Sequence, residues 1–267
     1  MLTLFALYAF ILGAVVGSFL NVVIHRYPRE ESIVFPPSRC GFCGTRIRPY
    51  DNIPIISYLI LRGRCRSCGA AFGSRYVMIE LANALFYLAI FFYTGVSFAF
   101  FPLAAIVSMT IVLIYIDLDI QILPDVIDLP GIAIGIVIGW MGLGALYPDL
   151  MLSINLMDSL IGAAFGAGLL LAIGMAYKLV RNIEGMGLGD VKMLAMIGAV
   201  VGWRPIFPLL FLASLCGAVI GLIVAARQRH ENLQFPIPFG VFLGLATLAV
   251  IFFGNTLFTW YRSLLGS

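Results

Sequence analysis

Apolar residues in this chain run in long unbroken stretches, and the polar residues collect between them rather than alternating with them. A hydrocarbon layer about 30 Å thick needs about 20 helical residues to cross it, so runs of this length read as membrane helices. The pattern predicts helices near residues 2–24, 77–95, 98–116, 127–146, 158–177, 190–203, 205–226 and 239–258. The stretch 190–203 is short for a full crossing and equally suits a re-entrant or interfacial helix. The first run has no basic leading region and no convincing small-residue cleavage site, and it continues straight into Gly17-Ser18-Phe19-Leu20-Asn21. It is therefore expected to be a retained helix rather than a secretory signal.

Composition agrees with that reading. Hydrophobic residues make up 62% of the chain and charged residues 11%, with a mean hydropathy of +1.06, too apolar for burial in one soluble core. Nine of the 16 Lys and Arg lie in the segment 25–76. If eight spans alternate, Lys178, Arg181, Lys192, Arg227 and Arg229 join that side, giving 14 basic residues against Arg204 and Arg262 opposite. Basic loops stay in the cytoplasm, so this side is expected to be cytoplasmic, with both termini outside.

Two acids stand at the ends of apolar runs: Asp117 closes Leu113-Ile114-Tyr115-Ile116-Asp117, and Asp190 closes Gly185-Met186-Gly187-Leu188-Gly189-Asp190. A carboxylate near hydrocarbon costs about 2.5 to 3.5 kcal/mol on insertion scales, which makes it a functional candidate. In the alternating topology both fall at the cytoplasmic boundary. Two carboxylates brought together there can share a proton, the arrangement of aspartyl-protease chemistry. Gly187 and Gly189 are expected to give the backbone before Asp190 unusual freedom and a close approach to an extended substrate. No Lys-Ser or Lys-Thr follows to complete a phosphate-binding loop.

The remaining polar residues have plainer expected roles. Asp119 points to a different face from Asp117; Asp125, after Pro124, is expected to cap or to be solvated, with a supporting place near the site. Asp128 is expected to cap the next helix, and Asp149 and Asp158 to be loop or cap residues on the outer side. Glu80 is expected to pair with Arg75. Lys192 is positioned either to tune Asp190 or to reach lipid headgroups. His25 and His230 mark helix ends. Cys216 lies in an apolar run and reads as a small buried or lipid-facing residue.

The one sizeable soluble segment, 25–76, carries Cys40-Gly41-Phe42-Cys43 and Cys65-Arg66-Ser67-Cys68, two CxxC knuckles separated by 21 residues and each followed by glycine. Four thiolates in this spacing suit a tetrahedral zinc site at Cys40, Cys43, Cys65 and Cys68. So small a loop has little core of its own, and metal binding is expected to supply much of its folding energy. A cytoplasmic position argues against disulfides. Arginines beside zinc knuckles also suggest nucleic acid, but topology and anionic lipid contact account for the charge, so no nucleic-acid partner is expected.

The ordered blocks Gly17-Ser18-Phe19-Leu20-Asn21-Val22 with His25-Arg26, the paired CxxC knuckles, Asn52-Ile53-Pro54 with Ser57-Tyr58, Ile116-Asp117 with Leu123-Pro124-Asp125, the GxGD of residues 187–190 with Lys192, and Pro236-Ile237-Pro238-Phe239-Gly240 resemble the type IV prepilin peptidases. The resemblance implies an all-α polytopic membrane aspartyl protease of the bacterial inner membrane. It would have about eight transmembrane helices, a cytoplasmic zinc loop and an active site facing the cytoplasm. The organisation expected is a first helix at 1–24, the four-cysteine loop at 25–76 and the membrane-embedded peptidase at 77–267. Asp117 and Asp190 map onto the catalytic pair, which would cut the basic leader from prepilins and pseudopilins of type IV pilus and type II secretion systems. The resemblance further implies N-methylation of the new N-terminus with S-adenosylmethionine as donor. No residue in the sequence points to the donor's binding site. Gly-interrupted membrane helices with intramembrane acids also suit a proton- or cation-coupled transporter, and a zinc loop suits a non-catalytic assembly factor of the secretion machinery.

Overall fold

The computed structural model describes residues 2–182, 187–228 and 238–264; Glu184, Gly185, Met186, Arg229, His230, Pro236 and Ile237 lie outside them. The described residues are helical, without named strands. The chain divides into two compact units, Met1–Phe100 and Phe101–Ser267.

The first unit is a helical hairpin with a loop at one end. Helix α1 (Leu2–Arg26) packs antiparallel against α3 (Arg75–Thr94), and α2 (Ile56–Leu61) lies in the loop between them. Small residues let the two backbones approach. A Cβ on Gly13 would sit 2.7 Å from the Ala84 Cα, and one on Gly17 would sit 2.8 Å from the Glu80 Cα. Two side-chain amides then bridge the helices: Asn83 Nδ2 donates to the Gly13 carbonyl at 2.7 Å, and Asn21 Nδ2 donates to the Tyr76 carbonyl at 3.1 Å. In lipid the apolar effect gives no preference for helix over solvent, so close packing and such bonds hold helices together.

The second unit comprises α4 (Phe100–Ile120), α5 (Asp125–Trp140), the short α6 (Leu143–Leu146), α7 (Leu156–Arg181), α8 (Leu188–Val201), α9 (Ile206–Gln228) and α10 (Phe239–Leu264). Helix α8 is its centre. Residues Met193–Val201 are buried on every side, with α5, α7 and α10 packed around them. Glycines again set the distance: a Cβ on Gly162 of α7 would lie 2.1 Å from the Gly198 carbonyl oxygen of α8, and one on Gly135 of α5 would lie 2.6 Å from the Ala199 Cβ. Ser153 and Ser159 each donate to the Ala199 carbonyl at 2.8 Å, satisfying the end of α8 from two neighbours.

Among the described residues a helix occupies each of the eight predicted places, and six of these are long and apolar enough to cross a membrane: α1, α3, α4, α7, α9 and α10. These make the chain a multi-pass membrane protein. Helices α5 and α8, with 16 and 14 residues, extend about 24 and 21 Å. Length and composition thus establish six spans and leave α5 and α8 as shorter helices between them. The predicted span 127–146 is broken because α5 ends at Trp140 and Gly142 turns the backbone with φ +64°. Outward faces carry the apolar surface: Leu179 of α7, Phe211 and Leu222 of α9 and Phe92 of α3 are all exposed, as a hydrocarbon surrounding requires.

Replacing Gly162 or Gly198 with valine should destabilise the second unit by about 1 to 3 kcal/mol or more through overpacking. Gly168→Ala should be nearly neutral, since a Cβ at Gly168 meets nothing within 4 Å. Thermal unfolding midpoints of the three variants in one detergent check the difference.

Candidate active site and metal centre

Helix α4 carries Asp117 in its last turn, buried at 4% exposure, whereas Asp119 two residues on is exposed. The helix ends where Gln121 takes a left-handed φ of +55°, and Leu123-Pro124 leads into α5. Asp190 lies in the first turn of α8, half-buried. The fold brings Asp117 within electrostatic reach of Asp190. The two acids that the apolar pattern singled out therefore share one site.

The N-terminus of α10 completes it. Val241 N–H donates to Asp117 Oδ2 at 3.0 Å, and the Gly240 amide also acts on this carboxylate. Free amides at a helix start, with the partial positive charge of the helix dipole, are suited to holding an anion. The approach requires glycine: a Cβ on Gly240 would lie 2.9 Å from Asp117 Oδ2. Sequence reasoning quoted Gly240 in a motif but assigned it no task. Its signal was the Pro-Phe-Gly run opening a helix.

Leu123 is the second residue without an assigned task. A Cβ on Gly189 would fall 2.9 Å from the Leu123 Cβ, and one on Gly240 would fall 3.1 Å from the Leu123 Cδ2. Leu123 thus lies against the starts of both α8 and α10. Gly189 is required by this packing, not by unusual backbone freedom. Gly187 has φ −72° and ψ 141° at the N-cap of α8, a conformation open to any residue, and a Cβ there would make only ordinary contact with Asp190 Oδ2 at 3.7 Å.

The other predicted residues sort as follows. Lys192 Nζ donates to both oxygens of Asp125, at 2.6 and 2.7 Å, tying the first turns of α5 and α8 together. Asp125 is solvent-exposed, one of the two expectations for it, and it forms this ion pair as well. Asp128 does not cap: it is fully buried in α5, and neither carboxylate oxygen has a hydrogen-bond partner. Asp190, Asp125 and Lys192 all act on it electrostatically, so it is a buried acid on the α5 side of Asp190 rather than the cap that sequence spacing suggested. Asp158 has the cap role expected, because Asn155 accepts its N–H at 2.8 Å and Asp158 Oδ2 accepts from Ile154 N–H at 3.1 Å. In the first unit, the expected Glu80–Arg75 pair gives way to another partner: Glu80 Oε2 accepts from Ile55 N–H at 2.7 Å.

The four loop cysteines also converge. Their sulfurs all lie within 4.8 Å of one another, a group that could hold a metal ion. Cys40 Sγ and Cys68 Sγ are 3.9 Å apart, against about 3.8 Å for two sulfurs at 2.3 Å from a tetrahedral zinc. The two knuckles share one local fold. Gly44 N–H donates to the Cys40 carbonyl and Gly69 N–H to the Cys65 carbonyl, both at 2.9 Å, with φ +69° and +71° at the two glycines. Those positive angles explain why glycine follows each knuckle. Arg39↔Arg46 and Arg64↔Ala71 bridges close the turns. Hydrogen bonding with the side chain and backbone of Thr45 brings the Cys43 thiol down to about 6, toward the thiolate that binds metal. Cys216, the fifth, is an exposed free thiol on α9, among its lipid-facing residues. Beside the cluster, Arg66 grips Asp51 through both carboxylate oxygens at 2.7 to 3.0 Å, holding its carboxyl below the usual carboxylate range.

Residues 11–94 match the bacterial peptidase A24 N-terminal domain, and residues 104–222 match the type IV leader peptidase family. The prepilin leader peptidase/N-methyltransferase of Pseudomonas aeruginosa is 37% identical over 286 residues, covering 98% of this chain and 95% of its own. The chain belongs to the type IV leader peptidase family. Proteins of the same name from Stutzerimonas stutzeri and Myxococcus xanthus are 36% and 39% identical, over 96% and 86% of this chain and 93% and 68% of theirs. No solved structure matches the chain. Membership in this family weighs against the transporter and assembly-factor readings.

Metal analysis of the purified protein is expected to find one ion per chain. Cys40→Ser or Cys65→Ser should remove it and lower the resistance of the loop to protease, because each cysteine supplies one of four ligands.

Proposed function

We propose that the chain removes the leader from type IV prepilins and pseudopilins with Asp117 and Asp190 as its catalytic pair, then methylates the new N-terminus. The packing of Leu123 against both Gly189, which precedes Asp190, and Gly240, which meets Asp117, supports the reading by setting the two acids at neighbouring helix ends. The names of its full-length relatives support both activities.

Water attacks an amide poorly, so one carboxylate takes a proton from water while the other, protonated, polarises the scissile carbonyl. Like charges held close disfavour double ionisation, which lets a pair of aspartates occupy these two states without a metal. As the tetrahedral intermediate collapses, the C–N bond breaks and the amine nitrogen takes a proton from the pair. The Gly240 and Val241 amides hold Asp117 in place through the cycle. Gly189 lets Leu123 seat the Asp190 turn against them. The Asp125–Lys192 pair ties the same helix starts together as a support.

Zinc fits the four-sulfur cluster on donor type and spacing, with Cys40, Cys43, Cys65 and Cys68 as its ligands and a structural role for the loop. S-adenosylmethionine, when bound, would supply a methyl group on a positively charged sulfur for transfer to the new N-terminal amine. The site is proposed to face the cytoplasm of the bacterial inner membrane. The basic residues support this orientation if α5 and α8 also cross.

Asp117→Asn and Asp190→Asn are each expected to lower leader cleavage by about 100-fold or more, and Gly240→Ala by about tenfold or more through displacement of the Asp117 carboxylate. Asp149→Asn should leave cleavage unchanged. Mass spectrometry of a prepilin incubated with each purified variant reads all four. Near-wild-type cleavage by either asparagine variant would remove that residue from the pair.

Orientation is tested by labelling single cysteines from outside the cell in a background lacking native thiols. Ser153, on the predicted outer side, is fully buried, so exposed Val96 and Asp149 serve as outer probes, with Ser74 and Asn182 as inner ones. Labelling of the outer pair alone is expected. The reverse pattern would put the site on the side away from an unprocessed leader.

A further inference from the structure

The first unit contains a cavity of about 360 Å³ between the cysteine loop and the loop-facing ends of α1 and α3, within the range of about 300 to 1,000 Å³ typical of small-molecule sites. The cleavage mechanism uses no residue of this unit.

One wall is aromatic. Tyr58 and Phe72 meet edge to face with centroids 5.6 Å apart, and Phe72 and Tyr76 do so at 6.4 Å. This row offers ring faces to a planar base. A second wall is cationic, including Arg26, Arg39 and Arg46; Arg66, also on the lining, is already engaged by Asp51. At the helical end lies Glu80, 9% exposed. One of its oxygens accepts the Ile55 N–H, and the Ser18 side chain also bonds to the carboxylate; a carboxylate has about four acceptor positions, so capacity for a ligand remains. Ile55 reaches it with φ +63°, a region that β-branched residues rarely adopt. The backbone is bent in a way that holds Glu80 at the cavity edge.

A ligand suited to these walls has a flat heteroaromatic ring, a carboxylate for the arginines and a positive centre for the buried acid. We propose that this cavity binds the sulfonium methyl donor S-adenosylmethionine, with the Tyr58–Phe72–Tyr76 row against its adenine and Glu80 facing its positive sulfur. The assignment rests on the methyltransferase reading above and gives it a location.

The probes are S-adenosylmethionine and S-adenosylhomocysteine, which differ by one methyl group and the positive charge. Binding of each to the full-length protein in detergent is measured by equilibrium dialysis. Glu80→Gln keeps an acceptor for the Ile55 N–H but removes the charge. It is expected to weaken the sulfonium by about tenfold or more and the neutral thioether much less. Phe72→Ala should weaken both alike. Unchanged sulfonium affinity in Glu80→Gln, or equal loss for both probes, overturns the role of Glu80.

Because a misfolded variant also loses binding, ultraviolet cross-linking of labelled donor to the wild type provides a separate measurement. Label is expected on peptides from residues 38–80, and label confined to residues 101–267 overturns the cavity. A wild type that neither binds donor nor methylates a precleaved pilin overturns the methyltransferase reading itself. Binding and methylation with label elsewhere overturn only this location.

Discussion

A carboxylate buried at the end of an apolar helix must take its hydrogen bonds from the protein, because hydrocarbon offers none. Asp117 meets that requirement with the first amides of α10, and much of the second unit follows from it. The amides reach the acid only because residue 240 has no side chain. Leu123 lies against the openings of α8 and α10, which sets where Asp190 stands. One acceptor near lipid thus determines the placement of three helix termini.

The same constraint governs the helix interiors. Lipid competes with apolar side chains on equal terms, so association relies on close backbone approach and on interhelical hydrogen bonds. Gly13 and Gly17 serve in the first unit, and Gly135, Gly162 and Gly198 in the second. Helix α8 is the consequence: too short to need an apolar face toward lipid over a full crossing, it is enclosed by α5, α7 and α10 and presents Asp190 from its first turn.

The loop of the first unit is held by different means. It has few buried side chains, and its order comes from two matching knuckles, four convergent sulfurs and the Asp51–Arg66 grip. With zinc at the proposed site, metal binding and folding would be one process there, whereas the helices are held by packing. The cavity beside the knuckles lies where these two kinds of stabilisation meet within the unit.

Apolar run length, the two CxxC spacings with their glycines, and acids placed where hydrocarbon makes them costly are all properties of neighbouring residues. The sequence by itself therefore determined the membrane class, the metal-binding loop and the candidacy of Asp117 and Asp190. Tertiary structure decided what depends on distant partners. The amide serving Asp117 lies 124 residues away, and Glu80 takes its bond from Ile55 rather than from the nearby Arg75 that helix spacing suggested. Asp128 has the spacing of a cap, yet the packing of α5 buries it with neither oxygen hydrogen-bonded. Helix α5 looks like a span by composition but ends early, where Gly142 turns the chain at φ +64°. Local pattern states which side chains are costly to bury; only the folded contacts state what satisfies them.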